Sequence, residues 1–597
     1  MRSPYADIED YALIGDCRSA ALISSSGSLD WLCLPQFDSP SVFNRLLDHA
    51  RGGYFSITPS CSFSAHRAYR DSTAVLMTEF RTESGMVRVT DCMPVMPEED
   101  KRRRLTPWRS VLRYIEGVEG TVPLQIGCRP RPNDGCVIPM FRSRGEAGYC
   151  ADLGNRLFHL STDIPMTVAP GGLHARLDMA AGRRAVLWLS YSEDAPAVYP
   201  VIAQAEQTIE ESSRYWDRWA ETCCYRGPYR RQVIRSAVTL KLLSFAPSGA
   251  IVAAPTTSLP EVIGGTRNWD YRYCWLRDAS YTARVFFRLR YLEEARAFVQ
   301  WMTHATALTY PALHVMYDVY GESGLTQKTL AHLAGYRGSA PVRTGNQAHA
   351  QFQLDVYGEV MGAVWHAVQE GLDLDRGMRR HVVQMAELVC EQWARPDHGF
   401  WEIPTEPRQY VHSKVMCWVA LDRAERVVRT LGLRADTVRW KRVRDSIRCL
   451  ILEGGYSWER RSFVQRFDEQ ALDATALLFP NEGFIDPNDL RMIGTIRAIR
   501  KDLCRDDLVY RYRGTDGLDG TEGAFLPCSF WLVEALAGAG YRTEARRLFD
   551  RLGRRANDVG LYAEEMDVSS GHMLGNFPQA LTHLAHIGAA LSLDQTR

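Results

Sequence analysis

The residues of this chain best suited to acid–base chemistry are carboxylic acids set in aromatic or apolar surroundings. In Asp397–Lys414, DHGFWEIPTEPRQYVHSK, Glu402 follows Trp401 and precedes Ile403 and Pro404. Apolar neighbours disfavour the charged form of a carboxyl group, so its pKa rises and it can act as a general acid near neutrality. Glu406 is a rival in the same segment, and local context favours Glu402. A second group lies in Leu561–Gln579, where Glu564 and Glu565 are adjacent and Asp567 follows. Such neighbours either share a solvated face or supply a base whose pKa one sets for the other. Glu402 and Glu564 are 564 − 402 = 162 positions apart, so they could face each other only across a closed arrangement of elements.

A third segment, Gly264–Ser280 (GGTRNWDYRYCWLRDAS), packs Arg267, Asp270, Arg272, Arg277 and Asp278 among Trp269, Tyr271, Tyr273 and Trp275. Charged groups interleaved with aromatics suit a sugar, whose ring faces stack on Trp and Tyr while its hydroxyls bond to Arg and Asp. The alternative is a surface loop braced by Arg–Asp pairs. A fourth, Gly514–Phe525 (GTDGLDGTEGAF), carries Asp516, Asp519 and Glu522. Its oxygens could ligate calcium, but the spacing is not that of an EF-hand, and a plain turn or a sugar contact by Glu522 are the other readings. His583 and His586, three apart without a HExxH pattern, read as core or surface histidines, so no metal site is expected. Phosphate-loop and nucleophile-elbow motifs do not occur.

The elements that must position these groups change character along the chain. Residues 1–200 read as many short strands and turns without intervening amphipathic helices, which predicts a β-sandwich. Residues 201–225 (from VIAQAEQTIEESSRYWDRW) predict a connecting helix. Over 226–597 the apolar spacing is three and four, giving eleven helices and a twelfth near Glu469–Leu478. An open bundle, a solenoid or a closed double ring would all satisfy that pattern.

Composition narrows the partners. Among 597 residues, 71 Lys+Arg balance 71 Asp+Glu, without the basic excess of a nucleic-acid binder. Apolar runs are too short to span a bilayer, so no membrane partner is expected. Asp7, Glu9 and Asp10 fall where a secretory signal would need its apolar run, and the 15 cysteines are an odd number without a C-x-x-C pair. Both features predict a cytoplasmic protein with reduced thiols.

Taken together, the motifs IEDYALIGD (Ile8–Asp16), GSLDWLCLPQFD (Gly27–Asp38), GGTRNWDYRYCWLRDAS, QLDVYGEV (Gln353–Val360), VHSKVMCWVALDRA (Val411–Ala424), CSFWLVE (Cys528–Glu534) and GNFPQALTHL (Gly575–Leu584) span nearly the whole chain. In this order they resemble glycoside hydrolase family 15, the glucoamylase, glucodextranase and bacterial trehalase family. The resemblance implies an N-terminal β-sandwich, a linking helix and a C-terminal (α/α)6 barrel. It implies an inverting exo-acting α-glucosidase that takes a terminal glucose from trehalose or a short α-glucan, an oligosaccharide or disaccharide substrate, and no cofactor. Trp401-Glu402 then matches the general-acid site, Glu564 the base, and Arg277 with Asp278 the pair that holds the terminal glucose, with Trp275, Trp401, Glu522 and Glu565 as further substrate contacts. The WEIPT run departs from the family's WEVRG, which bears on the leaving-group subsite. Glu565 and Glu522 remain alternative bases. A glycoside phosphorylase and a non-catalytic carbohydrate sensor are the competing functions.

Overall fold

In the computed structural model, which describes residues 4–103, 107–193, 197–514, 516–518 and 520–594, strands precede helices. Fifteen strands up to Glu193 form two antiparallel sheets joined through one long strand, Ser110–Arg129. Its first half pairs with Gly85–Cys92 and Arg184–Glu193, its second with Tyr54–Pro59 and Gly172–Ala180. The sequence pattern reads Val111–Tyr114 and Val122–Ile126 as separate strands. They are one, because Gly117 and Gly120 let the backbone turn from one sheet into the other without a break, Gly120 at a φ of +62°. Strand Gly172–Ala180 alternates buried and exposed side chains, as a strand with one face on a core should.

A short helix, α1 (Glu98–Arg103), lies between strands Gly85–Cys92 and Ser110–Arg129 of this domain, and α2 (Ala205–Glu221) leads toward the next. Outer helices α3 (Arg230–Leu242), α5 (Leu292–Ala305), α7 (Arg376–Gln392), α9 (Thr437–Gly454), α10 (Leu490–Asp502) and α12 (Arg542–Gly553) alternate with inner ones. The inner elements are α4 (Leu276–Leu289), α6 (Asp355–Gln369), α8 (Val411–Leu431), a 3₁₀ helix at Ala474–Leu478, α11 (Leu526–Gly538) and α13 (Ala580–Asp594). This is the (α/α)6 arrangement. Position in the double ring is written in the side chains: α11 is buried at every residue from Leu526 to Ala537, whereas α9 buries only Trp440, Ile447 and Ile451 on one stripe. The expected twelfth helix is a short 3₁₀ segment, held at its start by the Asp473 carboxylate, which accepts from Thr475 N–H at 2.8 Å.

The sandwich sits against the end of the barrel where the inner helices begin. Trp31 donates to the carbonyl of Pro255 at 2.7 Å, and Asp38 accepts from Val319 N–H at 3.2 Å. Arg272 donates to the Ser39 carbonyl at 2.9 Å and to both oxygens of Asp270, at 2.8 and 2.7 Å. Both members of that pair are buried, so the Arg–Asp bracing anticipated for this segment is real at Asp270 and Arg272. Removing one partner of a buried pair strands the other's charge. Arg272→Met is therefore expected to cost about 3–5 kcal/mol, read as a lowered urea midpoint, and the Asp270→Asn/Arg272→Met double variant to recover part of the loss.

Candidate active site

Segment Gly264–Ser280 ends in α4, whose first turn carries Arg277 and Asp278 inward at the mouth of the barrel. The Arg277 guanidinium bonds to Asp278 at 3.1 Å, the Phe400 carbonyl at 2.9 Å, Gln353 at 3.4 Å and Glu402 at 3.3 Å. Its plane lies 4.3 Å from the Phe400 ring centre. Trp275 donates its indole N–H to the same Glu402 oxygen at 2.7 Å. Trp401 packs on Phe400 and donates to Asp473 at 3.0 Å. Trp275, Arg277, Asp278, Trp401 and Glu402 thus form one contiguous group.

Glu402 sits in a left-handed backbone conformation, φ +58°. A non-glycine residue held there costs about 1–2 kcal/mol and persists when surroundings fix it. Here Gln351 donates to the Glu402 carbonyl at 3.0 Å and Trp275 holds the side chain. Burial pushes the Glu402 carboxyl above its ordinary pKa, against the opposing pull of Arg277 and the Trp275 N–H. The direction is that of a general acid.

Glu564, Glu565 and Glu522 form a second group. Glu564 is fully buried and accepts from the Tyr271 hydroxyl at 2.7 Å and from Asn576 N–H at 3.1 Å. Glu565 accepts from Gly523 N–H at 2.9 Å and lies 3.2 Å from Arg511. Glu522 is clamped by Arg511, at 3.0 Å to Oε1, and by Arg267 at 3.2 Å. Burial raises the pKa of Glu564, and the charge of Glu261 adds to the rise while Arg511 opposes it. Two contacts join the groups: Tyr271 meets Trp275 edge to face at 5.3 Å, and Arg511 stands 5.7 Å from the Trp401 ring centre.

Between them lies a cavity of about 290 Å³, walled by Glu402, Trp401, Tyr271, Trp269, Glu261, Arg267, Arg511 and Asp516, with Ile403, Pro404 and Thr405 on the acid's side. Trp275 and Arg277 stand one contact behind Glu402, Asp278 one further behind Arg277, and Glu564 one hydrogen bond behind Tyr271. Asp516 and Glu522 serve as partners of Arg267 and Arg511, with Asp516 bidentate to Arg267 at 2.8 and 3.0 Å. Asp519 lies outside the described residues.

Sequence reasoning missed Glu261 and Arg511. Glu261 accepts from Trp269 at 3.1 Å and from Arg511 at 3.1 Å. Arg511 faces Glu261, Glu522 and Glu565 together, so these three close carboxylates already surround a fixed cation. A buried charge far from its partners in sequence gives no local signal. The nearest hint was the acidic surplus of Glu522, Glu564 and Glu565, which requires a buried positive group.

The domain model for Glycosyl hydrolases family 15 matches residues 227–591, and one for a trehalase-like N-terminal domain matches residues 3–147. The chain belongs to glycosyl hydrolase family 15. It is a glycoside hydrolase of an inverting family. A trehalase of Thermoplasma volcanium is 35% identical over 99% of this chain and 94% of its own length. A trehalase of Mycolicibacterium smegmatis is 36% identical over 99% and 92% respectively. A bacterial glucoamylase complexed with acarbose shares the fold over 100% of this chain and 96% of its own, with a TM-score of 0.72 at 12% identity.

Trp275→Phe removes a donor that favours the ionised form of Glu402, so the pKa of Glu402 should rise further. Because a general acid must be protonated, the alkaline limb of the kcat profile is expected to move to higher pH. The lost hydrogen bond should also lower kcat by about tenfold.

Proposed function

We propose that this family 15 hydrolase cleaves trehalose, with Glu402 as general acid and Glu564 as general base. The observation that carries the reading is the placement of Glu402: buried, raised in pKa and fixed by Trp275 and Arg277 on the wall of a small charged cavity. In the reaction Glu402 gives its proton to the glycosidic oxygen as the bond to the anomeric carbon breaks. Water adds to that carbon from the opposite face and loses a proton to Glu564. One glucose leaves as the β anomer and the other keeps its α configuration.

Trehalose is favoured over longer α-glucans by two features. The cavity, about 290 Å³, has the dimensions of a small ligand, and Glu261, Arg267, Arg511 and Asp516 supply charged hydrogen-bonding groups around it. A leaving glucose that has no further sugar attached presents hydroxyls on all sides, and such a wall meets them. The trehalases that match this chain over nearly its full length support the same choice. The 15 free cysteines suit a reducing compartment, so we place the enzyme in the cytoplasm. No helix among the described residues is long and apolar enough to cross a membrane.

Purified enzyme given trehalose, maltotriose and isomaltose is expected to release glucose fastest from trehalose, with the β anomer appearing in early NMR spectra and no dependence on phosphate. Glu402→Gln and Glu564→Gln should each lower kcat by about 10²–10⁴-fold. Formation of glucose 1-phosphate would identify a phosphorylase instead, and binding without turnover a sensor. Full activity in Glu564→Gln with loss in Glu565→Gln would move the base by one residue.

A further inference from the structure

A second polar cavity, of about 400 Å³, lies at the opposite end of the barrel axis from the site. Four inner helices lead to it. On α4, Arg288 follows Arg277 by eleven residues, about 16 Å along the helix axis at 1.5 Å per residue. On α6, His366 lies eleven residues beyond Asp355. Trp531 and Glu534 come from α11, and Leu584, Ala585, Gly588 and Ser592 from α13.

The wall of this cavity offers donors and acceptors that the protein leaves unused. The Arg288 guanidinium is largely buried and, among the described residues, has no hydrogen bond or ion pair. The His366 ring, whose pKa burial lowers to about 3, stays neutral and likewise has no partner among the described residues. Glu482 accepts from Arg284 at 2.9 Å through Oε1, while its Oε2 has no hydrogen bond and stands 3.9 Å from Arg423. Asn481 donates to Glu534 at 2.8 Å. Unpaired Arg288 alone would call for an anion, but Glu482 and Glu534 on the same wall oppose one. A neutral ligand with several hydroxyls meets both demands, accepting from Arg288 and His366 and donating to the carboxylates. Trp531 adds a flat apolar wall of the kind that packs on a sugar ring.

We propose that this distal cavity is a second binding site, for a neutral polyhydroxylated ligand of monosaccharide size. Its floor toward the mouth is Trp531, whose ring lies 6.1 Å from Trp401 and 5.9 Å from Phe400. The site does not depend on the identity of the substrate at the mouth.

Equilibrium dialysis of the full chain against radiolabelled D-glucose tests it, with inorganic phosphate and acetate as parallel probes. Arg288→Met and His366→Phe are each expected to bind one glucose fewer per chain at saturation than wild type, whatever number the mouth holds, with kcat on trehalose within twofold of wild type in both. Glucose-soaked crystals should show a ring between Arg288 and Glu482. No glucose bound to the wild-type chain, or a stoichiometry unchanged by both substitutions, would overturn the proposal. So would displacement of the second glucose by phosphate or acetate, which would make the cavity an anion site.

Discussion

Two buried guanidinium groups set the terms for everything at the mouth of the barrel. Arginine does not lose its proton in a protein, so a buried one must be surrounded by acceptors. Arg277 gathers Asp278, Asp355 and Glu402, and Arg511 gathers Glu261, Glu522 and Glu565. Each carboxylate therefore has its place fixed by a shared cation. Sharing also limits what any one of them gains. Arg277 divides its charge among three acids, and burial wins at Glu402 and at Asp355, where it pushes the carboxyl up to about 6. A site that needs one protonated carboxyl near neutrality is served by such incomplete neutralisation.

Holding so many charges out of water requires a rigid frame, and the frame is larger than the barrel. The inner helices deliver Arg277, Asp278 and Asp355 from their first turns, where side-chain direction is fixed by helix geometry. The connecting segments are less constrained, and here the sandwich contributes. Trp31, Asp38 and the Ser39 carbonyl brace the stretch from Pro255 through Arg272 to Val319. Tyr271 and Trp275 flank Arg272, so the sandwich contacts bear on the two aromatics that touch Glu564 and Glu402. The N-terminal domain thus acts on the site without touching the cavity.

Much of this was legible in the chain, and the limits have physical causes. The change from strands to helices follows from periodicity, because the burial of a face is a local property, whereas the closed double ring was implied by the family resemblance and not by the apolar spacing. Glu402 was found through Trp401, Ile403 and Pro404, yet the groups that hold it are Trp275 and Arg277, 127 and 125 positions away. Its left-handed backbone has no signature in a WEIPT run. Arg511 sits in VYRYRG beside another arginine, Arg513, and nothing local distinguishes the buried one from its neighbour. Glu261 was passed over for the same reason, since Arg511 is 250 positions from it. The inner element at Ala474–Leu478 was read too long because apolar residues over Glu469–Leu478 suit a 3₁₀ turn as well as an α-helix.

Of three neighbouring glutamates, the one we propose as base differs from the other two in its partners. A carboxylate paired with a guanidinium is held in place by it and has less freedom to meet a water. Glu522 is clamped by both Arg511 and Arg267, and Glu565 faces Arg511 at 3.2 Å while accepting from Gly523. Glu564 is held differently: its donors are the neutral Tyr271 hydroxyl and a backbone N–H, with no ion pair among the described residues. Arg511 reaches it only as a field, which the charge of Glu261 opposes. Glu564 is thus tied by neutral donors, whereas Glu522 and Glu565 are tied to guanidinium groups. It also lies one hydrogen bond from Tyr271 on the cavity wall, so a small shift of that hydroxyl would let a water share its Oε1. The clamped pair hold the shape of the pocket, and Glu564, free of such a clamp, is the group we propose as base.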